Sequence, residues 1–351
     1  MIVLSKLLPA VTHDIGIDLG TTNTIVSVRG HGIVVSEPSV VAIKKDTKRV
    51  LAVGEEARRM IGRTPSAIIA VKPLKDGVIS DFDSTEAMIR YFIHKVYDEY
   101  PKLFKIKRPR VVIGIPSSIT EVESRAVIDA ATSAGARKVY IIEEPMAAAI
   151  GAGLPIDDAS GSMVVDIGGG TTDIAVISLG GIVVDTTVRI AGNEIDEEIL
   201  NFVRNKYNLQ IGLKFAEDVK IAIGSVKPLK KEREVEVKGR DLITGLPKII
   251  TLSSVDIREA MVRVIDKIVD SIKDALEQSP PEILSDLLEK SITLAGGGAL
   301  IEGIDRYLEE KLQTPVIIAE DPLTCVVRGT AILLEEIDLL ERLHISNRDI
   351  I

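Results

Sequence analysis

Residues 163–178 read Met-Val-Val-Asp166-Ile-Gly168-Gly169-Gly170-Thr171-Thr172-Asp173-Ile-Ala-Val-Ile-Ser, two apolar runs joined through Gly and Thr. The pattern predicts a strand-turn-strand hairpin with Asp166 at the end of its first strand. A Gly/Thr turn leaves backbone N–H groups pointing outward and lets the chain approach an anion closely, which suits phosphate. The hydroxyls of Thr171 and Thr172 add donors. Near the start of the chain Ile15-Gly-Ile-Asp18-Leu-Gly20-Thr21-Thr22-Asn23-Thr24 leads into Ile-Val-Ser-Val in the same way. Ordinary hairpin punctuation is the simpler reading of either turn alone. Two matching turns, with Thr21, Thr22 and the amide of Asn23 as further donors, point to a phosphate clamp made from two domains. Asp18 and Asp166 then face the same anion, where two like charges need a cation between them, and Mg²⁺ is the natural one.

The text around the second turn supplies the architecture. Val111–Ile115 reads as a buried strand, Thr120-Glu-Val-Glu as a helix start with acidic residues in its first turn, and Gly135 as that helix's stop. A strand at 139–142 and the small-residue helix of EEPMAAAIGAG, with Pro145 in its first turn, complete a β-α-β-α unit. This order predicts a parallel sheet covered by helices. The plan recurs at the end of the chain: a strand at 292–295, the turn Gly296-Gly297-Gly298, a helix from Ala299 to about Leu312, a strand at 316–318 and a helix near Pro322. Two copies of one fold, each with a small inserted subdomain (about 30–75 and 194–250), explain the repetition. The turn Gly296–Ala299 lets a flat ligand lie against the backbone before a helix N-terminus.

Bulk properties narrow the class. The chain has 351 residues, long enough for two cores, with 46% hydrophobic and 27% charged residues and a mean hydropathy of +0.24, which predicts a folded chain. With 43 basic against 52 acidic residues, the net charge of -9 speaks against a general nucleic-acid surface. A single cysteine, Cys325, and four histidines offer neither a disulfide nor a metal-ligand spacing, which predicts a reducing compartment. No apolar run spans a bilayer and no signal peptide opens the chain. There is no Gly-Lys dipeptide, so a Walker A loop is excluded.

In this order and at these separations, DLGTTNT, DIGGGTTD, EEPMAAAIGAG, RIAGNEID and LAGGGALIEG resemble the actin, heat-shock-chaperone and sugar-kinase ATPase superfamily. Within it the chain is similar to the bacterial actins of the MreB family over roughly residues 13–335. The resemblance implies an α/β actin-like ATPase fold, with one domain at 1–153 plus 322–351 and the other at 154–321, around a cleft for ATP and Mg²⁺. It also implies roles. Asp18 and Asp166 would hold Mg²⁺ through water, and Gly20 to Asn23 with Gly168 to Thr171 would bind phosphates. Glu144 would orient the attacking water, with Thr171 and Asp166 completing the catalytic set. Gly192, the run Glu217-Asp218-Val219-Lys220 and Gly296 to Ala299 would surround the adenosine. Thr22, Asp173 and Asn193 stand where the family most often has Ala, Glu and Asp.

The family comparison further implies a slow ATPase coupled to polymerisation. Filaments would lie at the inner face of the bacterial plasma membrane, meet cell-wall morphogenesis proteins and set cell shape. Pro101-Lys-Leu-Phe-Lys-Ile-Lys-Arg-Pro-Arg110 alternates apolar and basic residues, so Leu103, Phe104 and Ile106 are expected to enter the lipid interface while the cations meet anionic headgroups. An apolar stripe in residues 1–10 reads as a second anchor or a frayed end. The competing expectation is a soluble small-molecule kinase of the same superfamily, which would need a second substrate pocket.

Overall fold

The computed structural model describes residues 14–63, 65–75, 77–99 and 108–346. β1 (Ile15–Leu19) and β2 (Asn23–Val28) pair antiparallel, Asp18 opposite Ile25 and Leu19 opposite Thr24, so the first predicted hairpin forms with its turn at 20–22. β3 (Gly32–Pro38) adds a third antiparallel strand. β4 (Val41–Lys44), β5 (Val50–Val53), α1 (Glu55–Met60) and β6 (Ile68–Val71) then build a separate small sheet in the order β5-β4-β6. Of the stretch 30–75, β3 thus lies in the main sheet. β7 (Leu74–Lys75) and β8 (Val78–Ile79) form a short ribbon.

α2 (Phe82–Glu99), β9 (Arg110–Ile115), α3 (Glu121–Ser133), β10 (Lys138–Glu143) and α4 (Glu144–Gly151) follow. β9 runs parallel to β1 and β10 parallel to β9, giving the order β10-β9-β1-β2-β3. Parallel neighbours require crossover connections, and helices supply them. Alternation along the strands sends Ile15, Ile17, Leu19, Val111 and Ile113 into one core with Phe92 and Ile93 of α2 and Val127 and Ala131 of α3. Thr120 and Glu123 close a reciprocal capping box at the start of α3, as the acidic first turn predicts.

The second half repeats the design with β11 (Ser162–Ile167), β12 (Thr172–Ser178), β13 (Gly181–Val188), α5 (Gly192–Tyr207), β14 (Leu209–Gln210), α6 (Leu213–Ile223), β15 (Glu234–Asp241), β16 (Pro247–Ser253), α7 (Ser254–Gln278), α8 (Pro281–Glu289), β17 (Ile292–Ala295), α9 (Ile304–Leu312) and β18 (Val316–Ile318). Its main sheet is ordered β13-β12-β11-β17-β18, the topology of the first sheet strand for strand, and a three-stranded sheet β14-β15-β16 stands apart from it. α10 (Cys325–Glu335) and α11 (Ile337–Ser346) end the described chain. Residues up to 158, 178–182 and 324 onward form one compact unit, and 159–177 with 183–323 the other.

One local expectation changes, and one hairpin appears that the sequence pattern did not mark. The helix predicted from Ala299 starts only at Ile304: a short 3-10 turn, Gly297–Leu300, precedes it, and Gly303 caps α9 with a positive φ of 81° that breaks the helical path. The charged stretch from Leu229 to Ile250 holds β15 and most of β16, a hairpin in which Val237 and Leu252 are buried, Glu236, Lys238 and Arg240 are exposed, and Asp241 is buried. Leu103, Phe104 and Ile106 and the N-terminal apolar stripe lie outside the described residues. Among the described residues no helix is long and apolar enough to cross a membrane.

Candidate functional site

In the first unit Asp18 ends β1 directly beside Gly114 of β9. A Cβ at Gly114 would lie 3.7 Å from Glu144 Cγ and 2.9 Å from Val326 Cγ1. Asp18 and Glu144 therefore flank one glycine at the carboxyl ends of parallel strands, where open α/β sheets bind their ligands. Glu144 is 8% exposed and is the first residue of α4, followed by Pro145, so its carboxylate sits at the favourable end of a helix dipole. Asp18 has no ion-pair partner among the described residues, and burial pushes its carboxyl up to about 7.

Side-chain hydrogen bonds from outside the hairpin shape the turn after Asp18. Ser39, fully buried, donates its hydroxyl to Gly20 O at 2.5 Å and its N–H to Thr22 O at 2.9 Å. Thr22 Oγ1 is buried and has no hydrogen-bond partner among the described residues. Thr21 lies beside it, and Asn23 opens β2 opposite Pro38. An unneutralised carboxylate next to a turn with an unpartnered hydroxyl is chemically suited to a cation-bound anion.

In the second unit Asp166 stands opposite Asp173 across β11–β12 and beside Ala295 of β17. The turn between the strands is closed by Gly168 N–H donating to Thr171 O at 2.9 Å. Gly168 O and Gly169 O accept from the N–H groups of Gly192 and Asn193 at 3.2 and 2.7 Å, joining the turn to the start of α5. Lys220 of α6 donates to Gly192 O at 3.0 Å and pairs with Asp196 at 2.8 Å. Gly170 completes the turn. Gly296 reaches it from the other side: its φ is 78°, and a Cβ there would lie 2.2 Å from Asp166 Oδ1 and 2.4 Å from Ile167 O. Gly297 is exposed, while Gly298 and Ala299 are buried.

Asp173 is 2% exposed. Burial raises its carboxyl to about 6, with Asp185 adding to the rise, while hydrogen bonds from Thr187 and Thr171 oppose it. Of the predicted run on α6, Lys220 is tied to the turn through Gly192 and Glu217 is half-buried one helical turn earlier. Val219 packs into the apolar core and Asp218 is exposed. Sequence reasoning did not single out Ser39, Thr187 or Asp196. Asp196 closes the motif RIAGNEID and could have been found there; Ser39 and Thr187 carry no local signal, because each acts on a turn or strand that only folding brings near.

Known proteins resemble this chain over nearly its whole length. A family model described as MreB/Mbl protein matches residues 12–342. The cell shape-determining protein Mbl of Bacillus cereus is 51% identical over 330 residues, which cover 94% of this chain and 98% of that protein. The crystal structure of MreB5 of Spiroplasma citri bound to ADP superposes with a TM-score of 0.87 at 40% identity, covering 92% of this chain and 96% of that one. A MamK double helical filament gives a TM-score of 0.76 at 27% identity, covering 92% and 98%. The duplicated sheets and their two hairpins are thus the actin-like fold, and the match, which takes in both hairpins and both inserted sheets, makes this chain a member of the MreB/Mbl protein family.

Proposed function

We propose that this chain is an actin-like cytoskeletal protein that binds and hydrolyses ATP, polymerises into filaments and controls cell shape by organising cell-wall synthesis at the inner face of the membrane. The observation that carries this reading is repetition: in each unit a strand-end aspartate, Asp18 or Asp166, stands before a Gly/Thr turn. Family membership, the ADP named for the Spiroplasma citri relative and the filament named for MamK support it.

The residues fit Mg²⁺ and phosphate. Burial displaces the Asp18 carboxyl upward, and Thr22 Oγ1 is a buried hydroxyl with no hydrogen-bond partner among the described residues. We assign Asp18 and Asp166 to Mg²⁺, through water, and the turns Gly20–Asn23 and Gly168–Thr171 to the phosphates. When bound, Mg²⁺ would neutralise the charge that gathers on the phosphates. Glu144 and Thr171 position the attacking water; in phosphoryl transfer positioning outweighs proton abstraction. Gly192, Glu217, Lys220 and the 296–299 turn take the adenosine. The side chains of Asp218 and Val219, one exposed and one in the core, are poor contacts, so that run contributes through Glu217 and Lys220.

The test is sedimentation of the purified chain with Mg-ATP, with Mg-ADP and without nucleotide, alongside phosphate release. ATP-dependent pelleting with slow phosphate release is expected. A chain that consumes ATP only when a small-molecule phosphoryl acceptor is added, and never pellets, would be a kinase instead.

A further inference from the structure

We propose that Ser39 is a positioning residue for the first phosphate turn, holding the carbonyls of Gly20 and Thr22 on the buried side so that they do not face the anion. This rests on the ATP-binding reading above and concerns what keeps one turn of that site in shape.

Ser39 is fully buried and follows Pro38, the last residue of β3, where the chain leaves the main sheet for the small sheet β5-β4-β6. Its hydroxyl donates to Gly20 O at 2.5 Å and its N–H to Thr22 O at 2.9 Å, so one residue holds two of the turn's carbonyls. A serine hydroxyl has one proton. With that proton on Gly20 O, the 2.9 Å contact between Ser39 Oγ and Thr24 Oγ1 is a hydrogen bond that Thr24, also fully buried, donates. Donation thus runs from Thr24 through Ser39 to the turn. A carbonyl oxygen carries partial negative charge and repels phosphate, whereas backbone N–H groups attract it. Carbonyls tied to a fully buried residue point into the protein, away from an anion that arrives from solvent.

The second unit holds its turn from the same place in the fold. β13 is the edge strand of its sheet beside β12, as β3 is beside β2. The segment that follows β13, residues 190–193, supplies the N–H groups of Gly192 and Asn193 to Gly168 O and Gly169 O, and its Ile190 O accepts from Thr172 Oγ1 at 2.7 Å. Gly20 and Gly168 correspond, each standing two residues after its strand-end aspartate. In both turns, then, the carbonyl of the first glycine is held by the segment that leaves the edge strand. The second unit does this with backbone amides, which a change of side chain leaves in place. The first unit does it in part with a side chain, so Ser39 is where the arrangement can be tested.

The experiment compares the full-length wild type with Ser39→Ala, Ser39→Thr and Thr24→Val. Three quantities are measured: affinity for Mg-ADP, the phosphorus NMR resonance of the β-phosphate at saturating Mg-ADP, and the melting temperature without nucleotide. Removing a buried donor from the turn predicts a loss of about tenfold or more in Mg-ADP affinity for Ser39→Ala, together with a displaced β-phosphate resonance. Ser39→Thr, which keeps the hydroxyl, is expected to restore both. Thr24→Val keeps the shape of threonine and leaves the bond to Gly20 in place, so its affinity should fall by less than about threefold. Ser39→Cys, whose thiol is a weak donor, carries the expectation of Ser39→Ala where the melting temperature shows that Ser39→Ala does not fold. Wild-type Mg-ADP affinity in Ser39→Ala overturns this inference alone. So does an unmoved resonance beside a lowered melting temperature, which marks Ser39 as a brace for the fold. Equal losses in Thr24→Val and Ser39→Ala overturn it as well, since any break in the buried network would then weaken the site. A wild type that binds no nucleotide overturns the ATP-binding reading and this inference together.

Discussion

Two carboxylates lie at opposite ends of the range this molecule imposes. Asp18 is pushed up to about 7 by burial without a counter-charge, whereas hydrogen bonds from the guanidinium of Arg258 and from Ser254 hold Glu232 down at about 2. The first arrangement costs the fold and suits the metal site proposed for Asp18; the second stabilises. Arg258 Nη2 meets both oxygens of Glu232, at 3.0 and 2.9 Å, and also Ser225 Oγ at 2.9 Å. A carboxyl lowered in the folded state binds fewer protons there than in the unfolded state. Its contribution is therefore complete above the ordinary value of 4.5 and is lost as pH falls from there toward 2. Wild type should lose thermal stability over that window, and Glu232→Gln should start lower at neutral pH and show a flatter acid limb. Unfolding midpoints between pH 2 and 6 measure this, and parallel curves would refute it. Asp18 could be read from the sequence because its turn follows at once. Glu232 could not, since its partner is 26 residues away and only the packing of α7 brings it close.

At the level of elements, legibility followed the range of the signal. The hairpins, the capped α3 and the parallel strands all follow from contiguous patterns, and the structure has them where those patterns put them. The start of α9 was misread because the break lies in the backbone of Gly303, whose neighbour, the Lys227 stem, is distant in sequence. The β15–β16 hairpin was missed because charged residues on its outer face masked the alternation of Val235 and Val237. The packing of α4 on α10 shows a further constraint that no local pattern reveals. A Cβ at Gly329 would stand 1.9 Å from Ala147 O, and one at Gly151 would stand 1.8 Å from Cys325 O, so the two helices touch backbone to backbone. Neither obstacle is a side chain that could rotate away. Gly329→Ala should therefore destabilise the chain by about 3 kcal/mol, the upper part of the usual range for overpacking. Gly212→Ala, with nothing within 4 Å, should change stability by less than about 1 kcal/mol. Denaturant midpoints decide it, and equal effects at the two positions would show that the helices can separate freely.

For the molecule as a whole, the open question is how a chain with a net charge of -9 would attach to an anionic membrane. The proposed answer is local: residues 101–110 carry five basic side chains among Leu103, Phe104 and Ile106. One of the five is already committed. Arg110 donates from its N–H, Nε and Nη2 to the fully buried Asp14, so it anchors the foot of β9. In the proposed attachment Lys102, Lys105, Lys107 and Arg108 meet headgroups, at about 1 kcal/mol each near an anionic surface. That sum of about 4 kcal/mol is comparable to the burial of two large apolar side chains, each worth about 1.5–3 kcal/mol, so Leu103 and Phe104 should carry a share of the attachment similar to that of the cations. Leu103→Ser with Phe104→Ser is expected to lower cosedimentation with anionic vesicles at least about tenfold, because the lost apolar burial exceeds the 1.4 kcal/mol that a factor of ten requires. Filament pelleting in the absence of lipid should be unchanged. Raising the salt concentration should weaken wild-type binding only partly, since the charge term alone is screened. Binding that survives the double substitution but vanishes in high salt would assign attachment to the lysines and remove the apolar residues from the account.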